Sequence, residues 1–336
     1  MTSTDGQLPL ALRQGIEHLM EGVPVAALNE ASRHLSQEYK KDAQYSPALA
    51  SEVERLAYVA ARLPATFAAT RAVLRELRRH GPDVVVGSLL ELGAGPAPGL
   101  WAAREVFPQL TVASHVESNV EMAELGRQLL AKTALATAVC STWYVDHALE
   151  AGDLPRHDVV LMAYLLGELT GDIRAQVIKA AWQATRVALV IVEPGTPNGT
   201  ARVLDARAWL VEQGAHVVAP CPHPGVCPLP SDDWCHFGAR LNRSRLQRRL
   251  KGGTLPFEDE KYAYVVVSRE PGERCNGRIL RRPDRAPRFV TLRLCATDGL
   301  RTERITRGQP ADYRLARKAR WGEAWEPAAR VATPDT

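Results

Sequence analysis

The chain reads as an α/β fold: a sheet of parallel strands, preceded by a helical region and followed by a basic extension rich in strands. Three observations predict it. Residues 83–218 alternate short apolar runs with helical patterns, and a glycine-rich loop joins the first of those runs to a helix. Beyond Val218 the alternation stops at a segment crowded with cysteine and proline.

Residues 8–80 carry helical spacing. In "EVERLAYVAARLPATFAATRAVLRELRRH" the apolar positions Val53, Leu56, Ala60, Leu63, Phe67, Ala68, Val73, Leu74 and Leu77 recur mostly every three or four residues, and Pro64 marks a kink or break. Gly81-Pro82 ends the segment, since glycine closes a helix and proline cannot continue one. Strands are then expected in "VVVGSLLELG", "LTVASHVES", "HDVVLMAYLL" and "VALVIVEPG", with helices in "GLWAAREVF", "VEMAELGRQLLAKT" and "GDIRAQVIKAAWQAT". Strands separated by helices of this length imply right-handed βαβ units. After the cysteine segment come a basic helix in "ARLNRSRLQRRLKGG", a strand in "KYAYVVVSRE" and a hairpin in "APRFVTLRLCATDGLRTERITR" turning at Asp298-Gly299. The expected divisions are 1–82 (helical region), 83–218 (core), 219–256 (cysteine loop and basic helix), 257–270 (a further core strand) and 271–336 (basic extension).

Composition narrows the class. The chain is 46% hydrophobic and 24% charged, enough apolar material for a substantial core, and its six cysteines are too few for a disulfide-built fold. No secretory leader or transit peptide is evident, and no run of about 18 uncharged apolar residues could span a bilayer. A cytoplasmic, reducing environment without membrane partners is the expectation. Charge is uneven: residues 1–239 hold 19 Lys and Arg against 26 Asp and Glu, whereas residues 240–336 hold 23 against 12. A basic final third suits a polyanion such as RNA, because neutralising phosphates releases condensed counterions.

In "ELGAGPAPGLWAA", Glu91, Gly93, Gly95 and Gly99 lie between a strand and a helix, where side chains would keep a cofactor from the backbone. The spacing matches neither the dinucleotide fingerprint nor a P-loop. It resembles the first motif of class I S-adenosylmethionine methyltransferases, which implies a Rossmann-like core binding S-adenosyl-L-methionine. In that family an acidic residue ending the second strand accepts the ribose hydroxyls, and Glu117 in "ASHVES" matches it. Ala97, flanked by Pro96 and Pro98, stands where many such enzymes carry glycine, and "LMAYLLGEL" lacks the Asn/Asp-Pro-Pro-aromatic signature of amino-methyltransferases. His115, Asp146, His147 and Glu168 are the general-base candidates, and none declares itself as catalytic.

"PCPHPGVCPLPSDDWCHF" places Cys221, Cys227 and Cys235 among five prolines. The spacing is wider than the paired knuckles of zinc ribbons, and the prolines keep the segment out of a sheet, as a loop around an ion or cluster requires. From the residues alone the fourth ligand is open: Cys295, Cys275, Cys140, His223 or His236. The wider run from Val192 to Arg269, together with "ELGAGPAPGLWAA" and "LRLCATDG", is similar to the methyltransferase-like ribosomal small-subunit assembly factors of mitochondria and their bacterial relatives. That resemblance covers about residues 89–321. It implies a 4Fe-4S cluster on Cys221, Cys227, Cys235 and Cys295, docking on small-subunit ribosomal RNA in the assembling subunit, and a C-terminal extension tied to the core by the fourth cysteine. Zinc is the alternative to the cluster.

Arg240, Arg243, Arg245, Arg248, Arg249 and Lys251 are the RNA-binding candidates, with Arg278, Arg281, Arg282, Arg285 and Arg288 as a second basic stretch and Trp321 and Trp325 as stacking groups. The reading is an RNA-binding, methyltransferase-like factor in small-subunit assembly. Its rivals are an active ribosomal RNA methyltransferase, in one version attacking a pyrimidine through Cys221, and a small-molecule methyltransferase.

Overall fold

The computed structural model describes residues 6–40, 49–145, 154–250 and 254–327. Four helices come first: α1 (Leu10–Leu19), α2 (Val25–Lys40), α3 (Glu52–Ala61) and α4 (Leu63–His80). A capping box starts α3: the Ser51 hydroxyl accepts from the Glu54 N–H, and the Glu54 carboxylate accepts from the Ser51 N–H. Pro64 sits in the first turn of α4, where its missing N–H has no helical partner to lose, so it separates two helices. The apolar face of α4, including Phe67, Val73 and Leu74, is fully buried.

The core follows as β1 (Ser88–Leu92), α5 (Pro98–Val106), β2 (Val112–Glu117), α6 (Val120–Leu130), α7 (Ala134–Ala138), β3 (Cys140–Val145), β4 (His157–Ala163), α8 (Gly171–Ala184), β5 (Thr185–Pro194), α9 (Pro197–Glu212) and β6 (His216–Ala219). The first strand is shorter than its apolar run predicts. Val84 and Val85 are exposed, and the Asp158 carboxylate takes the N–H groups of Gly87 and Ser88 at 2.9 Å each, fixing where the ladder begins.

Next come β7 (Phe237–Asn242), α10 (Arg245–Leu250) and β8 (Phe257–Ser268). The basic helix expected over the whole of "ARLNRSRLQRRLKGG" is therefore corrected: its first part is a strand. Phe237, Ala239 and Leu241 are buried while Gly238, Arg240 and Asn242 face out, a period of two that pairs β7 with β8. Sheet order is β3-β2-β1-β4-β5-β8-β6. β1 to β5 are mutually parallel, and β8 runs antiparallel to both β5 and β6. A parallel sheet with one reversed strand inserted before its last member is the class I methyltransferase topology. β6 pairs with Val266–Ser268 and β7 with Phe257–Tyr262, so residues 220–236 leave and rejoin the sheet along one edge of β8.

The C-terminal elements are β9 (Gly277–Ile279), β10 (Asp284–Arg285), β11 (Phe289–Ala296), β12 (Gly299–Thr306), α11 (Pro310–Lys318) and β13 (Ala324–Trp325). They form a second sheet, ordered β10-β11-β9-β13 with β12 on β11. Ala296 pairs with Gly299, so Thr297 and Asp298 make the two-residue turn, and Gly299 takes the φ of +123° that follows it. Ile279, Val290, Leu292, Leu294 and Trp325 give this sheet an apolar core of its own. Among the described residues no helix is long and apolar enough to cross a membrane.

Candidate metal centre and cofactor loop

The glycine loop leaves the C-terminal end of β1, the edge where open parallel sheets receive ligands. Gly93 has φ +64°, Gly95 +52° and Ala97 +56°, so three residues of the turn are left-handed, and Ala97 does this with a side chain. Glu91 lies beneath the loop, 2% exposed. One of its oxygens accepts from the Gly99 N–H at 2.8 Å and the other is 3.3 Å from His115 Nδ1, so it props the start of α5 and meets no open space. A Cβ on Gly99 would stand 2.3 Å from that carboxylate and 2.4 Å from Leu161, whereas one on Gly95 would meet nothing nearer than Met122 at 3.8 Å.

Glu117 stands at the loop's rim. Its carboxylate accepts from the Gly95 N–H at 2.6 Å and the Asn119 N–H at 2.8 Å, each oxygen retaining a lone pair for a hydroxyl donor. Burial pushes Glu117 above the usual carboxylate range, against the pull of those two donors. The open face over Gly95 and the acceptor beside it suit the sugar of a nucleoside cofactor. His115 is fully buried against Trp143, and Asp146 and His147 lie outside the described residues.

The ends of β4 and β5 and the loops after them hold Glu168, a general-base candidate, and add Tyr164 and Glu193, which the sequence did not single out. Tyr164, directly after β4, has φ +61°, and its hydroxyl donates to Glu260 at 3.1 Å. Glu193, at the end of β5, is fully buried, bonded to Arg202 at 2.9 Å, and accepts from the Leu166 N–H. Glu168 is open to water yet crowded by protein, and loss of hydration, with Glu117 and Glu193 nearby, pushes it up to about 7. The Trp234 indole N–H donates to the Gly195 carbonyl at 3.0 Å, tying the cysteine segment to the β5 loop.

Cys221, Cys227 and Cys235 from the excursion between β6 and β7, and Cys295 from β11, line one cavity. Arg207 of α9, Arg278 of β9, Tyr264 of β8 and the apolar Val203 and Leu280 complete its wall. Burial raises the Cys221 and Cys235 thiols and pushes Cys295 up to about 12; charge on the neighbouring cysteines adds to the rise at all three. His223 Nε2 is 3.5 Å from Cys295 Sγ, whereas His236 is held in an aromatic group between Trp234 and Trp321. Cys140 is exposed on β3, at the opposite edge of the sheet, and Cys275 is buried outside the cavity wall.

Among the described residues, no three His, Cys, Asp or Glu side chains are spaced to hold a single metal ion. A tetrahedral zinc needs all four sulfurs about 2.3 Å from one centre. A four-iron cluster places each thiolate on its own iron and so tolerates a wider ring of sulfurs. Four thiols around a shared, largely apolar cavity supply the donor type that either group takes.

The basic residues divide. Arg240 is bidentate on Asp259 at 2.8 and 3.0 Å and stacks on Phe257, and Arg243 donates from Nε and one terminal nitrogen to a single Glu258 oxygen, so both charges are already met by carboxylates. Arg245, Arg248 and Arg249 are exposed on α10; Lys251 lies outside the described residues. The residues of the second basic stretch point in different directions. Arg278 is buried, Arg281 is paired with Asp233, Arg282 is exposed but lies 3.5 Å from Asp259, Arg285 donates to the carbonyls of Arg317 and Ala319, and Arg288 is exposed. Trp325 is 3% exposed and serves packing, whereas Trp321 is half-buried in a T-shaped contact with His236.

Residues 52–326 match the family model described as mitochondrial small ribosomal subunit Rsm22. The chain belongs to this family. Among its relatives is the ribosome assembly protein METTL17, mitochondrial, of Homo sapiens, 27% identical over 91% of this chain and 68% of that one. The Rsm22-cox11 tandem protein 2, mitochondrial, of Schizosaccharomyces pombe is 26% identical over 80% of this chain, which spans 42% of its length. Both names place those proteins in mitochondria, and the cytoplasmic location expected above finds no support in them. Solved structures include an O-methyltransferase family protein from Burkholderia thailandensis, 13% identical over 75% of this chain and 74% of that one with a TM-score of 0.46. A second is a putative RNA methyltransferase from Pyrococcus horikoshii, 12% identical over 61% and 80% with a TM-score of 0.38. The fold assignment rests on the strand order above and not on these two matches.

Proposed function

We propose that this chain is a ribosomal small-subunit assembly factor that binds ribosomal RNA, carries a 4Fe-4S cluster on Cys221, Cys227, Cys235 and Cys295, and binds S-adenosyl-L-methionine over Gly93–Gly99 beside Glu117. Membership of the Rsm22 family supports the assembly role. The observation that carries the reading is the four-thiol cavity, built from the edge of the core sheet and from β11 of the C-terminal sheet. A cluster there fastens the two sheets to each other. When bound, it would supply four irons, each taking one thiolate. The chain's own part is to hold the four sulfurs in a desolvated pocket and to place α10, with Arg245, Arg248 and Arg249, beside the body as a phosphate-facing surface. The reading needs only a compartment in which thiols stay reduced, the cytoplasm among them.

A catalytic reading through Cys221 is disfavoured, because that sulfur faces three other thiols, and the glycine loop lies at the end of β1 across the sheet. The deciding experiment is anaerobic purification with visible absorption and with iron, sulfide and zinc counted per chain, for the native sequence and Cys295→Ser. About four irons and four sulfides, lost in the variant, together with RNA affinity that falls when the cluster is removed, are expected. One zinc per chain, or equal RNA affinity with and without the cluster, would sink the reading.

A further inference from the structure

Two arginines enter the four-thiol cavity with hydrogen-bonding capacity to spare. Arg207, 5% exposed on α9, uses one terminal nitrogen on the carbonyls of His223 and Gly225, at 2.8 Å each, and its Nε–H has no partner. Arg278, 1% exposed on β9, donates from Nε to the Pro220 carbonyl at 3.0 Å and from one terminal nitrogen to Glu76 and the Gly322 carbonyl. Its other terminal nitrogen has no oxygen or nitrogen partner, and the Cys275 thiol, outside the cavity wall, is a further sulfur that the guanidinium influences. A guanidinium cannot shed its proton, and an orphaned buried donor is costly, so two of them on one cavity wall point to acceptors inside it. The side-chain acceptors on that wall are the four cysteine sulfurs and the hydroxyls of Thr200 and Tyr264. Arg278 is also the direct cross-strand partner of Cys295 between β9 and β11, which sets both side chains on the same face of the sheet.

We infer that Arg207 and Arg278 are positioning residues for the metal centre: their free N–H groups donate to its sulfurs, and their charges offset the net negative charge of four thiolates on a cluster. This rests on the cluster reading above. The chemistry follows from charge. Four thiolates around an oxidised 4Fe-4S core leave a doubly negative centre, and one-electron reduction makes it triply negative. Two buried cations favour the more negative state and hold the reduction potential up, while hydrogen bonds to the thiolate sulfurs slow their protonation and release. Arg278 also faces Glu76, which takes part of its charge, so Arg207 is the freer of the two.

The test compares anaerobically purified protein of native sequence with Arg207→Gln and Arg278→Lys, by iron and sulfide content, midpoint potential, and bleaching by an iron chelator. Arg207→Gln is expected to load iron, to show a more negative midpoint potential, and to bleach about tenfold faster. A merely loosened loop would speed bleaching without lowering the potential. A loaded Arg207→Gln protein with native potential and native bleaching overturns the inference. Should Arg207→Gln not accumulate as folded protein, Arg278→Lys decides, since it keeps the charge opposite Glu76 and loses the fork: a more negative midpoint potential together with about tenfold faster bleaching supports the inference, and a native potential overturns it. A native protein holding zinc or no metal overturns the cluster reading, and the inference with it, before any variant is compared.

Discussion

The Arg278 guanidinium meets the Glu76 carboxylate at 2.5 Å, joining β9 of the C-terminal sheet to α4 of the helical region. The same arginine donates to Pro220 at the start of the cysteine excursion and to Gly322 before β13. Four parts of the chain thus converge on one buried cation.

Removing one member of a buried pair strands the other charge. Glu76→Gln is expected to lower unfolding free energy by about 3 kcal/mol, read from urea denaturation. A loss under about 1 kcal/mol would mean that the backbone carbonyls alone satisfy Arg278.

The glycine loop separates two kinds of glycine requirement. Gly99→Ala drives a methyl group into Glu91 and Leu161 and is expected to cost about 2 kcal/mol through overpacking. Gly95→Ala has room for the methyl and faces only the left-handed backbone, a cost of about 1 kcal/mol. Thermal unfolding of the two variants side by side checks the order; the reverse order would contradict the packing described here.

Glu117 must act as an acceptor to hold ribose hydroxyls. Glu117→Gln is expected to weaken S-adenosyl-L-methionine binding at least about tenfold by calorimetry. Because burial raises this carboxyl, native affinity should begin to fall at a higher pH than an ordinary carboxylate would allow, as acidification adds the proton. The Gln variant should lack that dependence, and a variant that kept it would assign the titration to another group.

Glu168 carries the opposite sign from a salt-bridged acid. Its pKa is about 7 in the folded chain against 4.5 for the free side chain, so folding is unpenalised below pH 4.5, and the stability it contributes is lost as pH rises through 7. Glu168→Gln should therefore stabilise the protein at pH 8 and leave it nearly unchanged at pH 4. Since the residue is open to water, the gain at pH 8 should not exceed about 1 kcal/mol. Equal effects at the two pH values would rule out the titration.

RNA affinity should depend on α10 more than on β7. Converting Arg245, Arg248 and Arg249 to Ala is expected to reduce the salt slope of binding by about 3, whereas Arg240→Ala, with its charge already met by Asp259, should leave it nearly unchanged. Filter binding of small-subunit RNA across a salt series measures both, and a larger effect at Arg240 would move the interface to β7.

The parallel core was legible because its strands are bounded by glycine, proline and helical periodicity, and its glycine loop is continuous in sequence. The cysteine segment was legible for the same reason. β7 was misread because five arginines suggested a helix surface, although Phe237, Ala239 and Leu241 already alternated with polar or small neighbours. Arg207 left a quieter signal: it lies four residues after Val203 and three before Leu210, a charge on the buried face of α9. Glu76 and Trp234 left none, since their partners stand far away in sequence and only the topology brings them together.

The division of the cavity between the excursion after β6 and a residue on β11 also sets an order of events during synthesis. Cys221, Cys227 and Cys235 leave the ribosome first, before β8 exists to hold either side of their loop. Cys295 emerges only after β9 has been made, bringing the last wall with it. A nascent chain halted in between exposes three thiols and no enclosure. Closure of the cavity therefore cannot precede the synthesis of β9 and β11, although β12 and β13 of the same sheet follow later.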